Sequence, residues 1–312
     1  MNTNRGTGHR RKIVVADFFD RAADLRAAFD AAVDPDAVTP KHFCWNYWNV
    51  PGQYTYLRTP ARTFFDGELF AAFERRLCDW GKATIGCNLA NSYWLSFYVD
   101  GCRQELHADV AHGPWAWVYS ITKWDTRGFR GGETQLARDE TLDYWRRGDA
   151  FLRGAELGAD RGRLFEEIDP HFGQLVLFDG RVPHGVREVR GTDDPRDSRI
   201  VLHGWFEPPA VQVDGALTKS DALGPLQAAF AALGERLATF DDADGSLILR
   251  LSVAPSGHVE HLDVLTDTME TSGDDRAARD ALVDTTLGLF GEIRFPMCRA
   301  PSVVVVPVSA RR

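Results

Sequence analysis

His107, Asp109 and His184 are the residues whose types and spacing point most directly to chemistry. Along a β-strand side chains alternate faces, so residues i and i+2 project together. In Glu105-Leu106-His107-Ala108-Asp109 one imidazole and one carboxylate therefore share a face, with Leu106 and Ala108 expected on the packed side. With a distant histidine this is the two-histidine, one-carboxylate donor set. It leaves adjacent coordination positions open and suits non-haem Fe(II) that must hold a co-substrate and O2 together. With nine histidines and 45 acidic residues in 312, chance supplies roughly one HxD/E match. The chain has two more, His258-Val259-Glu260 and His261-Leu262-Asp263. On one strand these pairs face opposite ways and cannot converge on one metal, so they read as an ordinary hairpin surface.

What separates the first pair is the sequence downstream of it. Gly131-Gly132-Glu133-Thr134 opens a strand with two glycines, which permits a bulge or close backbone approach. Gln174 to Asp179 is a short apolar strand leading to His184. Ser198 to Phe206 is another, placing Arg199, Val201, His203 and Trp205 on one face. An arginine aimed from a strand into a metal cavity can hold a carboxylate through two parallel hydrogen bonds. Arg199 could instead pair with Asp179 or Glu188, and His203 reads as a cavity-wall side chain. His112 and His171 lack supporting context and are not read as ligands.

The blocks Tyr98-x2-Gly101-x4-Leu106-His107-x-Asp109, Gly131 to Thr134, Leu177-Phe178-Asp179-x4-His184, and Arg199 before Gly204-Trp205-Phe206 come in a fixed order. Through them the chain, over about residues 12 to 208, resembles the Fe(II)/2-oxoglutarate-dependent dioxygenases, most closely their prolyl-4-hydroxylase-like branch. The resemblance implies that His107, Asp109 and His184 bind iron and that Arg199 anchors the distal carboxylate of 2-oxoglutarate. Tyr98 lies near the co-substrate or simply packs in the barrel. Fe(II), 2-oxoglutarate and O2 are the implied cofactors, with ascorbate an optional reductant. The implied activity hydroxylates an unactivated C–H while 2-oxoglutarate is decarboxylated to succinate and CO2. The retained carboxylate Asp109 favours hydroxylation over halogenation, whereas desaturation, cyclisation or epimerisation would use the same ligands. Two departures stand out. The His184 to Arg199 interval is long, which the Gly191-Thr192-Asp193-Asp194-Pro195 turn can absorb, and Ser120 falls where a co-substrate contact is expected.

A formal charge of −9 argues against nucleic acid or anionic membrane as partners. Cys44, Cys78, Cys87, Cys102 and Cys298 are an odd, scattered set without CxxC pairing, as free thiols in a reducing compartment would be. His9-Arg10-Arg11-Lys12 follows the amino terminus with no export-type apolar core, and no apolar run approaches a membrane span. A cytoplasmic location is expected.

The elements that must position these residues follow from periodicity. Lys12 to Ala16 reads as a strand, Ala22 to Val33 as a helix, and Asp66 to Trp80 as a helix with Phe70, Phe73 and Leu77 on one stripe and Asp66 near its cap. Strands from about Ser92 to Phe206, rich in Val, Ile, Tyr, Phe and Trp, give a mainly β, jelly-roll (double-stranded β-helix) fold braced by helices. Phe43 to Tyr54 is aromatic without a clean period, either a substrate lid or packing beneath the barrel. Arg138 to Pro170, with Tyr144-Trp145-Arg146-Arg147, interrupts the strand rhythm and is a place for specificity. Beyond Phe206 the order helix (Asp221 to Phe240), strand (Ser246 to Val253), strand (His258 to Leu265), helix (Arg276 to Phe290), strand (Ser302 to Val308) gives a small α+β unit.

That unit resembles the C-terminal domains of TonB and related proteins through Leu249 to Val259 and Arg294-Phe295-Pro296. The resemblance implies an interaction or self-association module. The expected domains are 1–208, an oxygenase domain; 209–244, a linker and helix; and 245–312, a TonB-C-like domain. The expected function is an Fe(II)/2-oxoglutarate oxygenase acting on a peptide, protein or amino-acid substrate. The alternative is a metal-binding interaction protein on an oxygenase scaffold.

Overall fold

The structure is a computed structural model that describes residues 2–4, 11–34, 36, 41, 44–109, 112–138, 141, 164–237, 243–271 and 276–310. Its strands are β1 (Asn2–Asn4), β2 (Lys12–Val15), β3 (Asn46–Val50), β4 (Tyr54–Pro60), β5 (Ala90–Tyr98), β6 (Arg103–His107), β7 (Trp115–Ser120), β8 (Thr134–Ala137), β9 (Phe165–Ile168), β10 (Leu175–Phe178), β11 (His184–Val186), β12 (Arg199–Phe206), β13 (Gln212–Gly215), β14 (Gly245–Val253), β15 (Val259–Asp267) and β16 (Ser302–Ala310). The helices are α1 (Ala22–Ala32), α2 (Ala61–Phe64), α3 (Gly67–Thr84), α4 (Lys219–Leu237) and α5 (Arg276–Gly291).

The chain divides into two compact units, Arg11–Asp79 with Leu89–Glu207, and Met1–Arg10 with Trp80–Asn88 and Pro208–Arg312. In the first, one eleven-stranded antiparallel sheet runs β2-β10-β7-β12-β5-β4-β6-β11-β8-β9, with β3 paired to β4. It curls until alternate residues of nearly all these strands line one cavity, which is the jelly-roll architecture expected from the sequence. The opposite face of its central strands is covered by helices. The Phe73 ring of α3 packs at a tilt on Trp117 and Tyr119 of β7, and Phe29 of α1 meets Phe97 of β5. Asp66 caps α3 by accepting from the backbone N–H groups of Glu68 and Leu69, and Phe70, Phe73 and Leu77 are buried.

Two expectations are corrected here. The strand carrying the HxD pair stops at His107, and Leu106 and Ala108 are exposed rather than packed. The bracing helices cover β5 and β7, leaving the outer face of β6 to solvent. The aromatic run after Phe43, read as either a substrate lid or packing beneath the barrel, is neither alone. Asn46 to Val50 pairs with Tyr54 to Arg58 as a hairpin around Pro51-Gly52. Trp45 packs among Phe29, Phe64 and Phe97, while Trp48 reaches the cavity. The Tyr144 to Arg147 segment lies outside the described residues.

The second unit has a five-stranded sheet in the order β1-β15-β14-β16-β13, antiparallel except for β1 against β15. The α4 and α5 helices bury Leu226, Leu233, Leu287 and Phe290 in a core shared with Leu249, Leu251, Val304 and Val306. The helix–strand–strand–helix–strand order matches the sequence reading. Within the stretch expected as a linker and helix, Gln212–Gly215 is a strand paired with β16 and Lys219–Leu237 is the helix α4. His258, Glu260, His261 and Asp263 form no metal-type cluster among the described residues; Asp263 instead pairs with His261 and Arg250. No helix among the described residues is long and apolar enough to cross a membrane.

Candidate active site

The β6 and β11 strands place the two histidines directly opposite one another, His184 in register with His107, their rings 4.4 Å apart. Asp109 follows β6 on a segment pinned by its own N–H, which donates to the Gly180 carbonyl at 2.7 Å. Its carboxylate lies 3.7 Å from His107 Nε2 and 3.2 Å from His184 Nε2. Among the described residues these three form the one cluster with metal-ligand character.

The backbone fixes which nitrogen each imidazole presents. His107 Nδ1 contacts the Glu105 carbonyl at 2.8 Å and His184 Nδ1 the Val182 carbonyl at 2.9 Å. A carbonyl only accepts, so each Nδ1 carries a proton and each neutral ring turns the lone pair of Nε2 toward Asp109. Lone pairs and a carboxylate converging at such range repel unless a proton or a cation sits among them, and tying the far nitrogen back is how metal-ligating histidines are oriented. The residues therefore fit a divalent ion. Burial lowers the His107 pKa, with the neighbouring His184 charge adding to the effect. Burial pushes the Asp109 carboxyl upward, but where protons on the histidines stand in for the cation, the hydrogen bond and charge of His184, the charge of His107 and the indole N–H of Trp205 outweigh it and hold the group at about 2. Trp205 Nε1 donates to Asp109 Oδ2 at 3.0 Å, and its ring stacks on His112 at 4.1 Å.

Arg199, in β12, is 1% exposed and lines the same cavity. Its Nη2 donates to Thr134 Oγ1 at 3.1 Å and its guanidinium lies 4.7 Å from the Tyr98 ring centroid, but Nε and Nη1 are buried without partners. Neither suggested carboxylate takes it: Asp179 is held by Arg181 and Glu188 by Arg190. Burial lowers the arginine's pKa. Unpartnered buried donors are uncommon and usually await a ligand or ion, and a carboxylate is the complement of this fork. Gly131 and Gly132 allow the approach. Gly131 has φ +76°, and a Cβ there would sit 1.9 Å from the Glu188 carbonyl oxygen; one on Gly132 would meet the Arg199 side chain at 3.4 Å.

The cavity holds about 420 Å³. Tyr98 belongs to its wall, fully buried, stacked on Tyr56 at 5.2 Å, its hydroxyl pKa raised by burial. His203 is a wall residue as expected, hydrogen-bonded to Ser96 Oγ at 2.8 Å, and burial, then the charges of Arg199 and Arg58, lower it to about 3. Ser120 turns away, donating to the Pro170 carbonyl; Thr134 is the hydroxyl beside Arg199. His171 does not line the cavity, whereas His112 does. Sequence reasoning did not single out Thr134, Tyr54, Tyr56, Arg58, Trp48 and Trp94 as cavity residues. The Pro51-Gly52 pair was the available signal for the hairpin that brings four of them.

Residues 93–207 match the family model described as the 2OG-Fe(II) oxygenase superfamily. A search of curated proteins found no relative of matching sequence. Among solved structures, a prolyl-4-hydroxylase from Pseudomonas putida is 17% identical with a TM-score of 0.41, over 63% of this chain and 92% of that one. The viral collagen prolyl hydroxylase of Paramecium Bursaria Chlorella virus-1 is 14% identical with a TM-score of 0.40, over 63% and 95%. The non-heme alpha ketoglutarate dependent epimerase SnoN from nogalamycin biosynthesis is 14% identical with a TM-score of 0.41, over 64% and 80%. The donor set, the arginine and the family match all fall in residues 93–207, so that part of the chain matches the 2OG-Fe(II) oxygenase superfamily, and the match implies Fe(II), 2-oxoglutarate and O2 as cofactors.

Proposed function

We propose that the protein hydroxylates an unactivated C–H of an amino-acid or peptidyl substrate, with His107, Asp109 and His184 holding Fe(II) and Arg199 holding the distal carboxylate of 2-oxoglutarate. The observation that carries this reading is the pairing, in one cavity, of three converging metal-type donors with a buried arginine whose Nε and Nη1 have no partner. Bound there, Fe(II) would let O2 give one oxygen atom to 2-oxoglutarate, which leaves as succinate and CO2, and the other to the substrate carbon, whose C–H becomes C–OH. The chain's own contribution is orientation and exclusion of water. The Glu105 and Val182 carbonyls fix the two imidazoles, Trp205 fixes one carboxylate oxygen of Asp109, and Thr134 and Tyr98 fix the guanidinium. Retention of Asp109 keeps a carboxylate on the coordination position that a halide would need, which supports hydroxylation. The amino-acid or peptidyl class rests on the prolyl-4-hydroxylase-like motif pattern. The five cysteines are free, which supports a cytoplasmic site of action, and the C-terminal unit is assigned an interaction role on its TonB-like segments.

Anaerobic addition of Fe(II) and then 2-oxoglutarate should produce the weak visible charge-transfer band of the chelate. Asp109→Ala and His184→Ala should lose it with Fe(II) at any concentration. A well-folded protein that shows no band would remove the oxygenase reading and leave the interaction-protein alternative.

A further inference from the structure

Arg58 is a second cation in the cavity that the metal and co-substrate site does not use. It lies on β4, whose alternate residues Tyr54, Tyr56 and Arg58 all face the cavity. Its position is set by register across three strands. Arg58 pairs with Asn46 on β3 and with Ser96 on β5, so the residues two places along, Trp48 and Trp94, are its diagonal neighbours on either side. The guanidinium sits between them, 3.5 Å from the Trp48 ring and 4.1 Å from the Trp94 ring. Stacking of this kind holds a planar cation by its faces and leaves its N–H edge to form other contacts. No carboxylate lies within 4.0 Å of Arg58 among the described residues, and its Nε is buried without a partner.

Charge bookkeeping across the cavity isolates this residue. Among the described lining residues Asp109 is the one acid, and Arg58 and Arg199 are the two permanent cations. Fe(II) and the dianion 2-oxoglutarate are neutral as a pair, Asp109 offsets Arg199, and Arg58 is the charge left over. Among the described lining residues a cationic substrate would meet uncompensated positive charge and no free acidic partner. An anionic one would find a clamped guanidinium. The size of the space sets the scale: about 420 Å³ is near the lower end of ligand pockets, roughly 300–1,000 Å³, and 2-oxoglutarate takes part of it.

Building on the oxygenase reading above, we infer that Arg58, held between Trp48 and Trp94, binds the free carboxylate of a small substrate of about amino-acid size. Arg58 is thus a specificity-determining residue, and the substrate class is a carboxylate-bearing small molecule rather than an internal segment of a peptide chain.

The test is a panel of the twenty free amino acids and of mono- and dicarboxylic acids of two to six carbons, each beside its carboxamide. Two readouts are taken: calorimetric binding to protein loaded anaerobically with Fe(II) and 2-oxoglutarate, and aerobic succinate formation above the no-substrate level. The charge-transfer band, recorded first, checks loading. Its absence in the wild type would fail the oxygenase reading itself, before Arg58 is tested at all. With the band present, at least one acid should bind and stimulate while its carboxamide does neither. In Arg58→Met the same acid should need about 30-fold or more concentration, with Arg58→Lys intermediate because the charge remains and the planar fork is lost. The band in both variants shows that they fold and load. Binding of no panel acid, equal response to the carboxamide, unchanged concentration dependence in Arg58→Met, or stimulation confined to peptides blocked at both ends would each overturn the inference.

Discussion

Replacing Arg199 with methionine separates the cost of the site from its use, because the two effects have opposite signs. In the ligand-free fold the guanidinium is 1% exposed with no carboxylate within 4.0 Å among the described residues, and Nε and Nη1 make no hydrogen bond. An unsatisfied buried donor costs about 1–3 kcal/mol, and apolar replacement of buried charge is often stabilising by about 1–4 kcal/mol. Methionine is smaller, loses the Thr134 bond and the stack on Tyr98, and leaves some space unfilled, so a net gain of about 1–2 kcal/mol is expected. At roughly 2–4 °C per kcal/mol for a unit of this size, that raises Tm by about 2–8 °C. Co-substrate reverses the order. Truncating one partner of a buried charge pair costs about 2–5 kcal/mol of affinity, or about 30-fold to a few thousand-fold. With Fe(II) present and 2-oxoglutarate at a hundred times the wild-type Kd, the wild type gains about 2.7 kcal/mol and the variant little. Anaerobic scanning calorimetry with and without 2-oxoglutarate reads both effects. If Arg199→Met gained as much from 2-oxoglutarate as the wild type, the arginine would not be the anchor. If it melted well below the wild type without ligand, the guanidinium would be a satisfied structural ion and the argument from its orphaned nitrogens would be wrong.

Trp205→Phe keeps a ring against His112 but removes the N–H that fixes Asp109 Oδ2 at 3.0 Å; Fe(II) affinity should fall about 10-fold or more in an anaerobic titration, and unchanged affinity would show that the carboxylate is oriented without it. Gly131→Ala places a Cβ 1.9 Å from the Glu188 carbonyl oxygen at φ +76°, so urea unfolding should report a loss of at least about 2 kcal/mol. In the second unit Arg279, which bonds the buried Asp267 and the Met269 carbonyl, should cost about 2–4 kcal/mol when changed to alanine, because Asp267 is left buried and unpaired; a loss within about 0.5 kcal/mol, the range of an ordinary surface substitution, would contradict the pairing.

The metal-type donors were legible in the sequence because a strand's period of two is a local rule that puts His107 on the cavity face, although β6 ends there and Asp109 joins it from the following segment, held by its N–H on the Gly180 carbonyl. Arg199 was legible for the same reason, through Val201, His203 and Trp205 on its face. The rule failed on the far side of that strand. Whether Leu106 is packed depends on which strands the helices cover, and α1 and α3 cover β5 and β7. Trp205 could be placed on the cavity face, but its bond to Asp109 spans 96 residues and depends on the sheet's closure. The β3–β4 hairpin was hidden by an aromatic run in which both faces are apolar, since Trp45 serves the core and Trp48 the cavity, so no alternation marks the strand. Arg58 carries no motif at all. Its environment comes from register between β3, β4 and β5.

The distribution of unsatisfied polar atoms shows how work is divided between the two units. Among the described residues the buried side-chain nitrogens and oxygens without a hydrogen-bond partner belong to Arg58, Thr59, Asn91, Trp117, Tyr119, Arg127, Glu133 and Arg199, and each of these residues is in the oxygenase unit. A fold tolerates such atoms where something else satisfies them or where strain serves function. Arg58 and Arg199 line the cavity, and each is held by aromatic faces or a hydroxyl rather than by an acid. That choice keeps the cation in place without neutralising it. A carboxylate partner would have fixed either arginine more firmly in the empty protein, and it would also have competed with the incoming ligand for the same fork. In the second unit the described buried ion, Asp267, already has Arg279 as its partner. Among the described residues, then, the buried polar atoms without a hydrogen-bond partner lie in the oxygenase unit, and those on the two cavity-lining arginines have a carboxylate arriving from solution as their natural complement.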